Sequence, residues 1–296
     1  MGDSQGNHLL RRSFEARSRW PPGRRGVLRQ SLVCPSGPGA SKATTVGEDV
    51  VPVAVIGAGG AGAVVLQALR QIGAATVVGV ADRDPAVAAE AGQAYGVVSY
   101  TDNRSLLAEA RPRVVFLCVP PAAGAELVGA CAKRGIHVCK APPLGRSLAE
   151  GVALVSQMEQ AGLKLAVDAS RRFAGSYRRA GQLRGRLGEV FLGRAHYLFN
   201  WGPRLGWRGD KATAGGGALL ELGYPPIDLL VWLLGVPEEV YGLTAAGHRP
   251  AEAGAGGEVL PPYDTDDTAA AILRFARGCM ATAAPRPRRR PPPDGA

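Results

Sequence analysis

From residue 51 onward, short apolar runs alternate with longer stretches in which apolar residues recur every three or four positions. The runs at 53–56, 76–81, 97–100, 114–119, 137–140 and 163–167 are apolar almost throughout. Strands of that kind are buried on both faces, as in a parallel sheet sandwiched by helices. The stretches between them (60–72, 86–95, 105–109, 125–134 and 147–161) have helical spacing. The rhythm predicts an α/β fold, a doubly wound parallel sheet of Rossmann type over residues 50–168.

After Arg172 the pattern changes. A helix is predicted over 177–184, a long aromatic-bearing strand over 190–201, an apolar helix over 217–234 and a strand over 238–246. The runs 267–275 and 279–283 form a hairpin turned at Arg277-Gly278. Residues 169–284 therefore read as a second, α+β domain with an open mixed sheet. Residues 1–49 are rich in Arg, Ser, Gly and Pro without sustained period, and are expected to be a disordered or spurious leader. Residues 285–296 are mostly Arg and Pro and are expected to be a disordered tail, leaving the second sheet without its last strands.

Charge alters this picture little. Of the formal net charge of +10, residues 1–50 hold +4 and residues 285–296 hold +3. The folded part has no basic excess that would imply a nucleic-acid partner. No run of 18 apolar residues occurs, so no membrane span is expected. The five cysteines (Cys34, Cys118, Cys131, Cys139 and Cys279) are scattered without a C-x-x-C pair. That pattern suits a reducing, cytoplasmic compartment. No His/Cys/Asp cluster has metal-ligand spacing, and no metal is expected.

The chemistry concentrates at the first strand–helix junction. The run 53–56 feeds Gly57, Gly59, Gly60 and Gly62, and Asp82 ends the second strand. Gly57 permits the tight turn, Gly59 clears space for a pyrophosphate, and Gly62 lets the helix approach the strand. Phosphates would lie at a helix N-terminus, where free N–H groups and the helix dipole favour anions. Asp82 is placed to accept hydrogen bonds from an adenosine ribose, which favours NAD; Arg83 beside it leaves NADP open.

With landmarks in both halves, residues 51–284 resemble the Gfo/Idh/MocA oxidoreductases, the family of glucose-fructose oxidoreductase and inositol 2-dehydrogenase. The glycine turn, Asp82-Arg83-Asp84-Pro85, Phe173, Gly188-Glu189-Val190, Trp207-Arg208, Gly215-Gly216-Gly217, Asp228 and Asp266-Asp267-Thr268 carry the resemblance. It implies NAD(P)-dependent hydride transfer to or from a carbon bearing a hydroxyl, on a sugar, polyol or related small molecule. It also implies Pro120 near the nicotinamide, and self-association through the second sheet.

Two positions depart from the family pattern. Its Glu-Lys-Pro segment is matched by Ala141-Pro142-Pro143, and the nearest lysine, Lys140, lies two residues earlier, roughly 6–7 Å back along a strand. Its helix bearing Asp, then His or Tyr four residues on, then Asp is matched by Glu221, Pro225 and Asp228, with Tyr224 the nearest proton carrier. The candidate catalytic residues are therefore Lys140 to polarise the substrate oxygen, Glu221 to orient the reacting group and Tyr224 to shuttle the proton. Asp228 reads as structural, Arg172 as a brace at the domain boundary, and His196, Trp201 and Trp207 as packing residues. The alternative is a dinucleotide-binding sensor or partner subunit without turnover.

Overall fold

A computed structural model describes residues 50–199, 205–246 and 263–287. The leader 1–49, Trp201 and residues 288–296 lie outside the described residues. The first domain is built from strands β1 (Val51–Ile56), β2 (Ala75–Ala81), β3 (Ser99–Tyr100), β4 (Val114–Leu117), β5 (His137–Lys140) and β6 (Leu165–Val167). Its helices are α1 (Ala61–Leu69), α2 (Pro85–Tyr95), α3 (Asn103–Glu109), α4 (Pro121–Ala132) and α5 (Leu148–Gln160). The strands pair in parallel in the order β3-β2-β1-β4-β5-β6, the Rossmann order.

Strand alternation explains why the runs are apolar throughout. Val53 and Val55 enter one core with Leu66, Leu69 and Val80. Ala54 and Ile56 enter the opposite core with Leu106, Val115, Leu117 and Val128. Caps set several boundaries. Asp84 accepts from the Ala86 and Val87 backbone ahead of Pro85, and Asp102 starts α3 two residues before the predicted turn. Pro121 opens α4 four residues earlier than its apolar period suggests, because proline at the first helical position gives up no needed hydrogen bond.

The second domain holds α6 (Gly175–Leu183), β7 (Leu192–Phe199), α7 (Lys211–Ala214), α8 (Ala218–Glu221), α9 (Tyr224–Leu234), β8 (Glu239–Ala245), β9 (Thr268–Arg274) and β10 (Met280–Pro287). Its sheet is mixed, in the order β7-β10-β9-β8, with β7 and β10 parallel and the other pairs antiparallel. Helix α9 covers one face. Gly193 on β7 admits Leu230 and Leu234, and Leu230, Ala271, Leu273, Phe275 and Ala281 form the core.

Two expectations are corrected. The helix predicted over 217–234 is two helices, and the axis bends by 50° between the segments Lys211–Glu221 and Tyr224–Leu234. Pro225 and Pro226 have no N–H for a continuous ladder, so they occupy the first turn of a new helix instead. The sheet also does not stop at Pro285, because β10 pairs with β7 as far as Pro287 opposite Phe199. Met280 donates to the Phe191 carbonyl beside β7, so the odd-numbered residues of β10 aim their nitrogens at β9. Pro285 and Pro287 fall on that side, and pairing with β9 ends at Ala283 opposite Ala271 while pairing with β7 continues. No single helix among the described residues is long and apolar enough to cross a membrane.

Candidate active site

The strand order reverses between β1 and β4, which opens a crevice at the carboxyl ends of the strands. The glycine turn lines it. A Cβ on Gly57, which has φ +87°, would lie 2.4 Å from the Cys118 carbonyl oxygen, and one on Gly62 would lie 1.7 Å from the Gly57 carbonyl oxygen. Those two glycines let strand and helix approach. Gly59 and Gly60 face open space: the nearest atom to a Cβ on Gly59 is Val87 Cγ1 at 3.7 Å, and nothing lies within 4 Å of one on Gly60. The start of α1 has no side-chain cap. A pyrophosphate fits this cradle of bare backbone, and a side chain at either open glycine would fill it.

Asp82, at the end of β2, is brought onto the same turn. Its Oδ2 accepts from Ala58 N at 2.9 Å and Gly59 N at 3.4 Å, and its Oδ1 from Asp84 N at 3.0 Å. The carboxylate is thus oriented at the crevice rim with lone pairs left for ribose hydroxyls. Arg83 is exposed beside it. Pro120 follows β4 and caps α4, its carbonyl accepting from Gly124 N at 2.9 Å.

Lys140 is fully buried at the end of β5. Its Nζ donates to the Pro143 carbonyl at 2.7 Å and the Ala141 carbonyl at 3.0 Å. The stem lies against α4, where a Cβ on Gly124 would come within 2.3 Å of Lys140 Cε. The amine therefore sits behind the crevice wall. Desolvation brings it down to about 8, opposed by Cys118 and Glu150. The same burial pushes the Cys118 and Cys139 thiols up to about 11, so both are protonated at neutral pH.

The remaining candidates fall into two groups. Glu221, at the end of α8, accepts from Arg208 Nε at 2.7 Å, and Arg208 stacks 4.5 Å from the Trp207 ring centre. Burial raises the Glu221 carboxyl, and Arg208 partly offsets that. Tyr224 begins α9 beside Asp228, which is paired in bidentate fashion with Arg172. Burial raises the Tyr224 phenol, Asp228 adds to that and Arg172 opposes it, so the phenol stays protonated near neutrality. Tyr224 lines a cavity of about 600 Å³ with Arg146, Leu220, Ile227, Asp228 and Val231. Among the described contacts the glycine turn and Asp82 form one unit, Tyr224, Asp228 and Arg172 a second, and Glu221 and Arg208 a third. Lys140 contacts none of them directly.

Several features escape a reading of the sequence. Gly124 makes room for the Lys140 stem. Asp266 holds the loop before α8, accepting from Gly217 N at 2.7 Å and Leu219 N at 2.8 Å. Arg146 ties α5 to the second domain through Glu150 and the Ala212 carbonyl. His196 lies exposed on the sheet face turned away from α9. The departure of the second helix from a single axis was the one available signal, carried by the proline pair. Among the described residues no three His, Cys, Asp or Glu side chains gather as metal ligands.

Comparison with known proteins gives a consistent result across both domains. Residues 51–169 match a family described as "Oxidoreductase family, NAD-binding Rossmann fold", and residues 178–285 match the "GFO/IDH/MocA C-terminal domain". The chain is 29% identical over 225 residues to levoglucosan dehydrogenase of Pseudarthrobacter phenanthrenivorans, covering 68% of this chain and 56% of that protein. It is 27% identical over 233 residues to myo-inositol 2-dehydrogenase of Thermotoga maritima, covering 77% of this chain and 66% of that one. Among solved structures it is similar to GenD2 from gentamicin A biosynthesis in complex with NAD, at TM-score 0.69 and 27% identity, covering 80% of this chain and 65% of that chain. It is also similar to levoglucosan dehydrogenase in complex with NADH and levoglucosan, at TM-score 0.68 and 25% identity, covering 79% and 66%. The chain thus spans little more than half to two thirds of these relatives.

Proposed function

The chain belongs to the Gfo/Idh/MocA oxidoreductases, and from that premise we propose that it is an NAD(P)-dependent oxidoreductase acting on a sugar, polyol or related hydroxy compound. The observation that carries this reading is the cradle of Gly57, Gly59, Gly60 and Gly62 with the Asp82 carboxylate fixed at its rim. A bound nicotinamide would supply the hydride acceptor or donor. The chain's own residues supply the rest. The glycine turn holds the pyrophosphate, Asp82 the adenosine ribose, and Pro120 borders the nicotinamide end. NAD is favoured over NADP because the Asp82 charge opposes a 2′-phosphate, while exposed Arg83 is the group that would tolerate one.

Proton handling falls to Glu221 and Tyr224. Burial moves the Glu221 carboxyl toward neutrality, where a carboxyl exchanges protons most readily. Tyr224 stays protonated and can donate to a substrate oxygen while Asp228 and Arg172 fix its surroundings. Lys140 acts from behind the wall rather than on the substrate. The relatives' substrates, levoglucosan and myo-inositol, support a polyhydroxylated substrate here. The cysteines among the described residues, all free, support a reducing, cytoplasmic setting. The outer face of the second sheet, with Leu192, Leu198, Tyr241, Leu243, Ile272 and Met280 exposed, supports pairing with a second copy.

Fluorescence titration with NADH and NADPH, followed by a screen of polyols and sugars for reduced-nicotinamide absorbance, tests the proposal. Binding of neither nucleotide defeats it. A second reading, dinucleotide binding without turnover, is favoured by Pro142 and Pro225 standing where the family has lysine and histidine. Nucleotide binding with no turnover, unrestored by Pro225→His together with Pro142→Lys, selects that reading.

A further inference from the structure

Lys140 is the one fully buried charged group at the carboxyl edge of the first sheet among the described residues. Its surroundings are built for it. Pro142 and Pro143 have no N–H, so the half-buried turn from Ala141 to Pro143 has carbonyls and few donors of its own. The ammonium satisfies two of those carbonyls. On the other side, Gly124 in the first turns of α4 leaves a slot that a single methyl group would close onto Lys140 Cε. The same lysine thus joins the end of β5, the turn after it and the start of α4. That assembly continues to the glycine turn, because Ala141 N donates to the Leu117 carbonyl at 2.9 Å and Gly57 abuts the Cys118 carbonyl.

We propose that Lys140 and Gly124 together form a positioning device, in which the enclosed ammonium fixes the Ala141–Pro143 turn and the α4 start as one wall of the dinucleotide crevice, so that nucleotide affinity depends on the proton held by Lys140. The inference rests on the dinucleotide-binding reading above. Lys140 touches neither nucleotide nor substrate in this arrangement. The ionisable groups around the amine are Cys118 after β4, Glu150 on α5, and Cys139 on β5 and Asp168 after β6, which act on Cys118 or on each other. With the amine at about 8 and both thiols at about 11, it is the group that changes charge just above neutrality.

The test is NADH affinity by fluorescence from about pH 7 to about pH 9.5, with circular dichroism confirming the fold at each point. Wild-type affinity should weaken about fivefold across that window, the equivalent of losing the charge assistance of the two turn-fixing hydrogen bonds, which the neutral amine can still donate. Lys140→Ala should show the weakened affinity at every pH and no step. Gly124→Ala, which keeps the charge and evicts the stem, should weaken binding similarly. The double variant should be no worse than Lys140→Ala alone, because the added methyl group then occupies vacated space. A flat wild-type profile, or losses that simply multiply in the double variant, overturns the device while leaving nucleotide binding intact. Absence of NADH binding at every pH overturns the dinucleotide reading and the device with it. The wild-type profile and Gly124→Ala decide the matter even where Lys140→Ala does not fold.

Discussion

Asp82 accepts two backbone hydrogen bonds from the glycine turn it faces and a third from Asp84 N in its own segment, so it organises the crevice before any ligand arrives. Asp82→Ala should weaken NADH about tenfold or more, losing both the ribose contact and the turn's acceptor, at about 1.5–3 kcal/mol for a charged hydrogen bond. NADPH should lose less, because the repulsion of its 2′-phosphate goes too; parallel titrations measure the difference. Lys140 predicts a pH signature in stability. Its folded value of about 8 lies below the ordinary lysine value of 10.5, so between those limits the unfolded chain binds more protons and stability rises with pH. The penalty of burying the charge is fully present below about 8. Cys118 and Cys139 at about 11 and Cys131 at about 12, against an ordinary thiol value of 9.0, act in the opposite sense above 9. Urea midpoints should therefore climb from about pH 8 to about pH 9 and then fall, and Lys140→Met should remove the climb. The role of Asp82 was legible because strand, glycines and acid fix one another at short range. The depth of Lys140 was not, since strand alternation gives the face a residue takes but not what closes over it. That required Gly124, sixteen residues away and on another element.

Elements whose ends carry a cap or a proline were read to within a few residues, because those signals act locally. The predicted helix over 217–234 failed for the converse reason: its apolar spacing runs across the join, while Pro225 and Pro226 break the hydrogen-bond ladder beneath it. The break frees Tyr224 from the orientation that one continuous helix would impose relative to Glu221. Asp266, from the segment before β9, replaces the missing cap of α8 by accepting from Gly217 N and Leu219 N. Asp266→Ala should destabilise the second domain by about 1–2 kcal/mol, seen as a lower urea midpoint with an unchanged slope. The nearby glycines cannot be exchanged to compensate, as a Cβ on Gly217 would lie 1.8 Å from the Asp266 carbonyl oxygen.

At the scale of the molecule, the alternation of apolar runs and helical periods sufficed for the first domain, because a parallel sheet buried on both faces leaves a dense pattern. The second domain was legible as a mixed sheet but not in its strand order, since β7 and β10 meet across about eighty residues of intervening chain. The Arg146 contact with the Ala212 carbonyl joins the two halves, and the Arg172–Asp228 pair ties the segment that follows β6 to α9. The proposed self-association through the outer sheet face predicts that Leu243→Glu with Ile272→Glu, two exposed neighbours on β8 and β9, lowers the mass seen by sedimentation to that of a single chain. Nucleotide binding should survive, because the crevice lies in the other domain. The prolines of β10 bear on a different hazard. An exposed strand margin normally offers alternating donors and acceptors on which a foreign chain can nucleate. Beyond Ala283, Pro285 and Pro287 bring no N–H to the side that β10 turns toward β9, so the ladder between those two central strands cannot lengthen, whereas the open edges of the sheet, β7 and β8, are not blocked by these prolines.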